Sequence, residues 1–109
     1  MANSYAYLTG KNVYGSEQLT VSTTSVSGTT ALVDNTARAL GSQTKAAAAM
    51  IQALTNNILY TLDGTTPSGS NGKRLVAGDV LGLAGYSKIK KFKCVREGGS
   101  DATIHIEYY

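Results

Sequence analysis

The 109-residue chain has little of what metal centres, disulfides and aromatic binding faces need: one histidine, one cysteine and no tryptophan. A lone cysteine, Cys94, excludes an internal disulfide. The alternation around it predicts a buried, reduced thiol on the same strand face as Phe92. The lone histidine, His105, has no second histidine or cysteine at the spacing of zinc ligands. We therefore expect no metal and no other cofactor.

Long apolar runs and dense charge are also missing. No run approaches the ~20 apolar residues of a transmembrane helix, and the N-terminus lacks the basic flank and apolar block of a secretory signal. We expect a soluble protein without a membrane partner. Its 42% hydrophobic and 16% charged residues are typical of a chain that folds around one core, in one domain.

Motifs of catalysis and nucleotide binding are missing as well. There is no Gly-x-Ser-x-Gly elbow and no phosphate-binding loop, since the sequence Gly69-Ser70-Asn71-Gly72-Lys73 lacks a strand before it and a helix after it. Asp63 and Asp79 each lie beside a glycine at an expected turn, where aspartate bonds its own backbone. We therefore predict that the chain is not an enzyme and has no catalytic residues.

Strand patterns separated by turn residues are what the chain does contain. Ile58, Tyr60 and Leu62 share one face of a predicted strand that ends at Asp63-Gly64. The most regular alternation lies at residues 102–109, with Ala102, Ile104, Ile106 and Tyr108 on one face and Thr103, His105, Glu107 and Tyr109 on the other.

Three other segments have a less regular alternation of apolar and polar residues, and their secondary structure is predicted as follows. Residues 74–83 are predicted as a strand with a turn or bulge at Ala77-Gly78-Asp79. Residues 88–96 are predicted as a strand with Phe92 and Cys94 inward, Lys91 and Lys93 outward, and Ile89 out of phase at a bulge. For residues 43–54 the alanines favour a helix, whereas the short connection to the next strand favours a strand over 48–54. We prefer the strand and keep the helix as the alternative.

Together these patterns predict an all-β fold, a β-sandwich or a jelly-roll-like barrel with an extended N-terminal arm. The arm, with short strands, is assigned to residues 1–28 and the β-sandwich domain to residues 29–109. Within the arm, residues 19–27 are rich in β-branched side chains. They could add as an edge strand to their own sheet or to that of a neighbour.

Charge is unevenly distributed along the chain. Residues 73–96 hold seven lysines or arginines against one aspartate, whereas the rest of the chain is net acidic. Such opposite patches favour docking of one surface onto another, although lysines that protect an edge strand are an equally good interpretation. The basic side chains point to both faces of the predicted strand and match no binding module, so we do not expect nucleic acid as a partner.

Four ordered pieces of sequence carry a resemblance to known proteins. They are Tyr60-Thr61-Leu62-Asp63-Gly64-Thr65-Thr66-Pro67-Ser68; Gly72 with Leu75-Val76-Ala77-Gly78-Asp79-Val80-Leu81; Ile89 with Phe92; and Ala102-Thr103-Ile104-His105-Ile106-Glu107-Tyr108-Tyr109. Over residues 48–109 the chain resembles a family of small tailed-bacteriophage virion proteins, which are β-sandwich domains usually without assigned catalysis.

The resemblance implies a structural role on the virion. A capsid decoration or cement protein that binds the major capsid protein is the first expectation, and a neck or tail component that binds other virion proteins is the second. It also implies a homo-oligomer, with a trimer favoured. Candidate interface residues are Tyr5, Tyr7, Tyr14, Lys90, Lys91, Lys93, Tyr108 and Tyr109. Tyrosine is enriched at interfaces, but core packing is the alternative for each of these tyrosines.

A second resemblance points to another class of protein. The pattern Tyr-Thr-x-Asp-Gly-Thr-x-Pro at residues 60–67 is similar to a short motif in small β-sandwich modules appended to glycoside hydrolases. It implies a carbohydrate-associated binding module. Exposed aromatic rings near Tyr60 or Tyr86 would favour this interpretation.

Overall fold

The computed structural model describes residues 15–28, 33–34 and 45–109, and this part of the chain is mostly antiparallel β-structure. Its elements are β1 (Gly15–Val21), β2 (Ala48–Thr55), β3 (Ile58–Thr61), β4 (Lys73–Leu75), β5 (Val80–Ala84), α1 (Tyr86–Lys91), β6 (Lys93–Arg96) and β7 (Ala102–Tyr108). One sheet has the order β1-β7-β2-β5 and the other β4-β3-β6. The predicted predominance of β-structure is confirmed, and the described strands form no closed barrel.

Strand β7 lies inside the four-stranded sheet and pairs with β1 on one side and β2 on the other. Its burial alternates as predicted, with Ala102, Ile104, Ile106 and Tyr108 at most 1% exposed. The residues between them, including His105, are partly exposed. This alternation fixes the register, because a shift by one residue would expose every inward side chain.

Residues 48–55 form strand β2, which confirms the preferred prediction over the helix. Ala49, Ile51 and Ala53 point to the core, and both edges of β2 are paired, with β7 and with β5. These ladder hydrogen bonds and the burial of Ile51 outweigh the helix propensity of the alanines, which is a weak preference per residue.

The prediction of one strand over residues 74–83 is wrong. The turn at Val76–Asp79 separates β4 from β5, and these two strands belong to different sheets. The Asp79 N–H donates to the Val76 carbonyl at 2.9 Å, and Gly78 has a φ of 93°. The predicted turn is therefore real, but it connects two sheets rather than interrupting one strand.

The predicted strand at residues 88–96 is wrong in its first half, where the chain forms the short helix α1. Gly85, with a φ of 103°, redirects the chain before the helix. Tyr86 and Ile89, three residues apart, then lie on one helical face. Ile89 is 3% exposed, so its phase reflects a helical turn and not a bulge. From Lys93 onwards the strand forms as predicted, and Phe92 and Cys94 are buried.

Side chains from both sheets and from α1 form one hydrophobic core. Its largest members are Tyr108, Phe92, Ile51, Ile58, Ile104 and Ile106. Cys94 lies in this core as a free thiol, and burial raises its pKa to about 12. Its predicted burial is confirmed. The predicted arm contributes β1 to the sheet, whereas residues 1–14 lie outside the described part of the chain.

Replacing Ile89 by alanine tests the contribution of α1 to the core. We expect Ile89→Ala to lower the free energy of unfolding by about 2–5 kcal/mol, since a buried isoleucine is truncated. The neighbouring Lys88→Ala, at an exposed position, should change it by less than about 0.5 kcal/mol. Denaturant titrations measure both values. Equal effects of the two substitutions would contradict the buried position of Ile89.

Candidate functional site

Three lysines lie near one end of the three-stranded sheet, where β3 ends. Lys73 of β4 lies opposite Tyr60, and Lys93 of β6 lies opposite Thr61. Because Tyr60 and Thr61 are adjacent on β3, Lys73 and Lys93 lie at the same end of the sheet but on opposite faces. The carbonyl of Lys91, at the end of α1, accepts a hydrogen bond from the Gly64 N–H at 3.1 Å. We call Lys73, Lys91 and Lys93 the lysine end of the sheet.

None of the three lysines has an ion-pair partner among the residues that the structure describes. The nearby Asp63 is engaged by its own turn, since its Oδ1 accepts from the Thr65 hydroxyl at 2.6 Å and from the Thr65 N–H at 3.1 Å. Those hydrogen bonds, with a smaller contribution from Lys91, lower the pKa of Asp63. The predicted role of Asp63 in a turn is confirmed, and the lysine end keeps a net positive charge.

Lys90 is not part of the lysine end. Its Nζ lies 3.1 Å from Asp34 Oδ2, and the Tyr86 hydroxyl also donates to Asp34. Lys45 lies over the Tyr86 ring, 4.6 Å from its centroid. The hydrogen bond from Tyr86, followed by that from Lys90, lowers the pKa of Asp34, whereas Tyr86 and then Asp34 raise the pKa of Lys90. Lys90 therefore joins α1 to residues 33–34.

The opposite end of the three-stranded sheet carries paired charges. Arg74 contacts Glu97 at 2.5 Å, and Arg96 contacts Asp101 at 2.7 Å. Asn57 donates to the second oxygen of Glu97 at 3.1 Å. Arg74, followed by Asn57, lowers the pKa of Glu97. Positive charge at this end is neutralised locally, so it does not add to that of the lysine end.

The outer face of the four-stranded sheet has no lysine or arginine. Its side chains are those that alternate with the buried ones: Ser16, Gln18 and Thr20 of β1; Thr103, His105 and Glu107 of β7; Met50 and Gln52 of β2; and Val80 of β5. Glu107 is the only carboxylate among them. Charge is thus segregated, with unpaired positive charge at one end of the smaller sheet and an almost neutral face on the larger one.

The candidate tyrosines take different positions. Tyr108 is fully buried and its hydroxyl donates to Glu17, so this chain uses it for core packing. Tyr109 is partly exposed, with its hydroxyl 3.4 Å from Glu107. Tyr5, Tyr7 and Tyr14 lie outside the described residues.

The two aromatic rings relevant to carbohydrate binding are both partly buried. Tyr60 packs against Phe92 with 6.1 Å between ring centroids and lines a recess of about 270 Å³ with Asp63, Asn71 and Lys73. The Asn71 side chain donates to the Thr66 carbonyl at 3.2 Å, so its amide supports the loop around the recess. The ring of Tyr86 is covered by Lys45.

Sequence reasoning did not select Lys73 as a candidate residue. It directly precedes the strand predicted from residue 74, and only the pairing of β3 with both β4 and β6 places it at the same end of the sheet as Lys93. The signal available in the sequence was the turn-rich segment between residues 63 and 72, which is typical of a hairpin connection that returns the chain to the same end of a sheet.

The described residues contain no group of three or more histidine, cysteine, aspartate or glutamate side chains arranged for a metal ion. In the same residues, no helix combines the length and hydropathy needed to cross a membrane. Comparison of the chain with known protein families, curated proteins and solved structures finds no match.

Acidification should destabilise the protein. The pKa values of Asp34, Asp63 and Glu97 in the folded chain lie below the ordinary 3.8 of aspartate and 4.5 of glutamate. The unfolded chain therefore takes up protons first, and the stability that these groups add is present above about pH 6 and lost as the pH falls towards about 3. Thermal unfolding midpoints across this range measure the effect.

Glu97→Gln should lower the thermal unfolding midpoint at neutral pH, because it removes the charge that Arg74 and Asn57 stabilise. The midpoint of this variant should also depend less on pH between about 6 and 3. An unfolding midpoint that stays constant down to about pH 3 would contradict this assignment.

Proposed function

We propose that this protein is a non-enzymatic structural protein of a phage virion, a capsid decoration or cement protein that docks through its lysine end. The observation that carries the proposal is the charge of Lys73, Lys91 and Lys93, which lie at one end of the smaller sheet and form no ion pair with the described residues. The proposal that the protein lies on a virion is based on the resemblance of residues 48–109 to small virion proteins. The partner is an acidic surface of the major capsid protein.

The physical basis is long-range attraction followed by repeated weak contact. Lysines that form no ion pair with the described part of the chain lose no such pair when they meet an acidic surface, and they steer the approach. Single exposed ion pairs contribute little, roughly 0.2–1 kcal/mol each. Many copies on one particle add avidity without any strong single contact.

The proposal includes a β-sandwich with an N-terminal arm. Inward side chains of both sheets belong to one core, which is how two sheets pack face to face in a sandwich. The resemblance further implies a homo-oligomer, with a trimer favoured, in which arm residues such as Tyr5, Tyr7 and Tyr14 and the partly exposed Tyr109 contact neighbouring subunits.

The number of copies on each particle tests whether the protein lies on the capsid surface or at the neck or tail. Quantitative mass spectrometry of purified virions should find it at an abundance comparable with that of the major capsid protein. A few copies for each particle would instead favour the neck or tail, where few subunits are used. Absence from the virion would contradict the whole proposal.

Binding to particles that lack this protein tests the lysine end. Replacing Lys73, Lys91 and Lys93 together by glutamine should weaken binding about tenfold at low salt, if three exposed contacts of roughly 0.5 kcal/mol each are lost. Binding of the unmodified protein should weaken as salt increases, because exposed charges are screened. Co-sedimentation with the particles measures both effects.

Lys91→Gln and Lys90→Gln form a matched pair on the same helix. Lys91→Gln should weaken particle binding, whereas Lys90→Gln should affect the contact with Asp34 and leave particle binding unchanged. Salt-insensitive binding that the triple substitution does not alter would rule out docking through the lysine end.

A carbohydrate-associated binding module is the second candidate, and the recess beside Tyr60 favours it. A partly exposed ring beside Asp63, Asn71 and Lys73 offers a stacking surface with polar groups around it. Screening against a panel of glycans, with the Tyr60 ring signals followed by NMR, tests this candidate. Saturable shifts of these signals would favour the module over the virion protein.

A further inference from the structure

Strand β1 has one edge that faces away from its sheet. Ala48 and Tyr109 exchange two backbone hydrogen bonds, of 2.9 and 3.2 Å, across β2 and β7. Hydrogen-bonded and non-bonded pairs alternate in an antiparallel ladder, so residues 103, 105 and 107 of β7 bond to β2 and the even-numbered residues bond to β1. Glu17 and Leu19, opposite Ile106 and Ile104, are therefore hydrogen-bonded to β7.

It follows that Ser16, Gln18 and Thr20 direct their backbone N–H and C=O groups away from the sheet. Together they present three donors and three acceptors in a row. No hydrogen bond from any other described residue reaches these groups. Because a strand edge with unused donors and acceptors is a template for another strand, this edge can extend the sheet.

The other sheet edges in the described part of the chain are short, charged or covered. β4 has three residues, of which Lys73 and Arg74 are exposed. β6 is covered where Val26 exchanges two hydrogen bonds of 3.0 Å with Cys94, and again where the Arg96 N–H donates to the Ser22 carbonyl. β5 has five residues, contains a glycine and leads within two residues into α1.

Within residues 15–28, 33–34 and 45–109, nothing comparable protects the outer edge of β1. It is seven residues long, contains no lysine, arginine or proline, and pairs with β7 without a bulge. Its one charged residue, Glu17, is turned to the inner face, where the Tyr108 hydroxyl donates to it. Flat uncharged edges of this length are the ones that natural proteins pair with another strand.

We propose that two copies of this chain pair β1 with β1 in antiparallel orientation about a two-fold axis at Gln18, which joins their four-stranded sheets into one sheet of eight strands. The register is self-complementary. Gln18 lies opposite Gln18 of the second copy, and Ser16 lies opposite Thr20. This arrangement pairs the six outward backbone groups of Ser16, Gln18 and Thr20 in each copy.

The electrostatics of this register favour a second copy as the occupant. The side chains that meet on the outer face are serine, glutamine and threonine, so no like charges oppose each other. Glu17 lies opposite Leu19 of the second copy and not opposite another carboxylate. An identical surface on both subunits is the usual form of a two-fold interface. This pairing does not depend on whether the protein lies on a virion. It gives a dimer, which differs from the trimer that the resemblance implies.

The mass of the full chain in solution is the first test. Sedimentation or light scattering at micromolar concentration should give twice the 11.4 kDa of one chain. Gln18→Pro should give a monomer, since proline removes a donor at the centre of the interface. The N–H that it removes makes no bond to β7, so the circular dichroism spectrum should be unchanged.

Two lysine variants test the interface independently, in case Gln18→Pro does not fold. Gln18→Lys places two positive charges against each other across the axis and should weaken the dimer, more so at low salt. Gln52→Lys adds the same charge to the same sheet face two strands away and should remain dimeric. A monomeric or trimeric wild-type protein, or a dimer that Gln18→Pro and Gln18→Lys leave intact, would overturn the proposal.

Cross-linking tests the register. A mixture of Ser16→Cys and Thr20→Cys proteins should form disulfide-linked heterodimers on mild oxidation, because these positions face each other across the axis. Neither variant alone should cross-link at a comparable rate. The native Cys94 is buried and should not contribute. Equal cross-linking of each variant with itself would contradict the two-fold register.

Discussion

The burial of one face of β7 is the constraint on which the rest of the structure depends. β7 contributes four inward side chains that are at most 1% exposed, and it provides the hydrogen-bonding partner for β1 on one side and β2 on the other. Tyr108 extends this face to the start of β1 through its contact with Glu17. The close approach of Gly28 depends on it too, since a Cβ at residue 28 would collide with the Tyr108 hydroxyl.

Polar side chains in the described residues mostly support turns and connections. Asp63 orders the turn after β3, Asp34 joins residues 33–34 to α1, and Glu97 holds Asn57 and Arg74 together. None of these carboxylates forms an ion pair with Lys73, Lys91 or Lys93 in the described residues. The positive charge of the lysine end is therefore not used in the ion pairs that hold these turns and connections together.

The sequence was informative wherever one periodicity dominated. The alternation in β7 and the turn at Asp63-Gly64 were both readable from local pattern, because burial of one strand face and turn geometry act over a few residues. The pattern was less informative at residues 86–91, where a single helical turn is too short to show a period. It also failed at Ala77-Gly78-Asp79, since a turn does not reveal whether the next strand joins the same sheet. The lysine end depends on strand pairing, and local pattern does not determine that.

The pairing of β1 with β7 joins segments that are far apart in the sequence, since Glu17 and Tyr108 are separated by 91 positions. Such a contact costs more loop-closure entropy than a local one. During synthesis β1 leaves the ribosome well before β7 exists, so for that interval both of its edges are unpaired. β1 has only two large apolar side chains, Leu19 and Val21, so it exposes little apolar surface before β7 is made. Once the fold is complete, the polar side chains of β1, Ser16, Gln18 and Thr20, mark the positions whose backbone groups point away from β7.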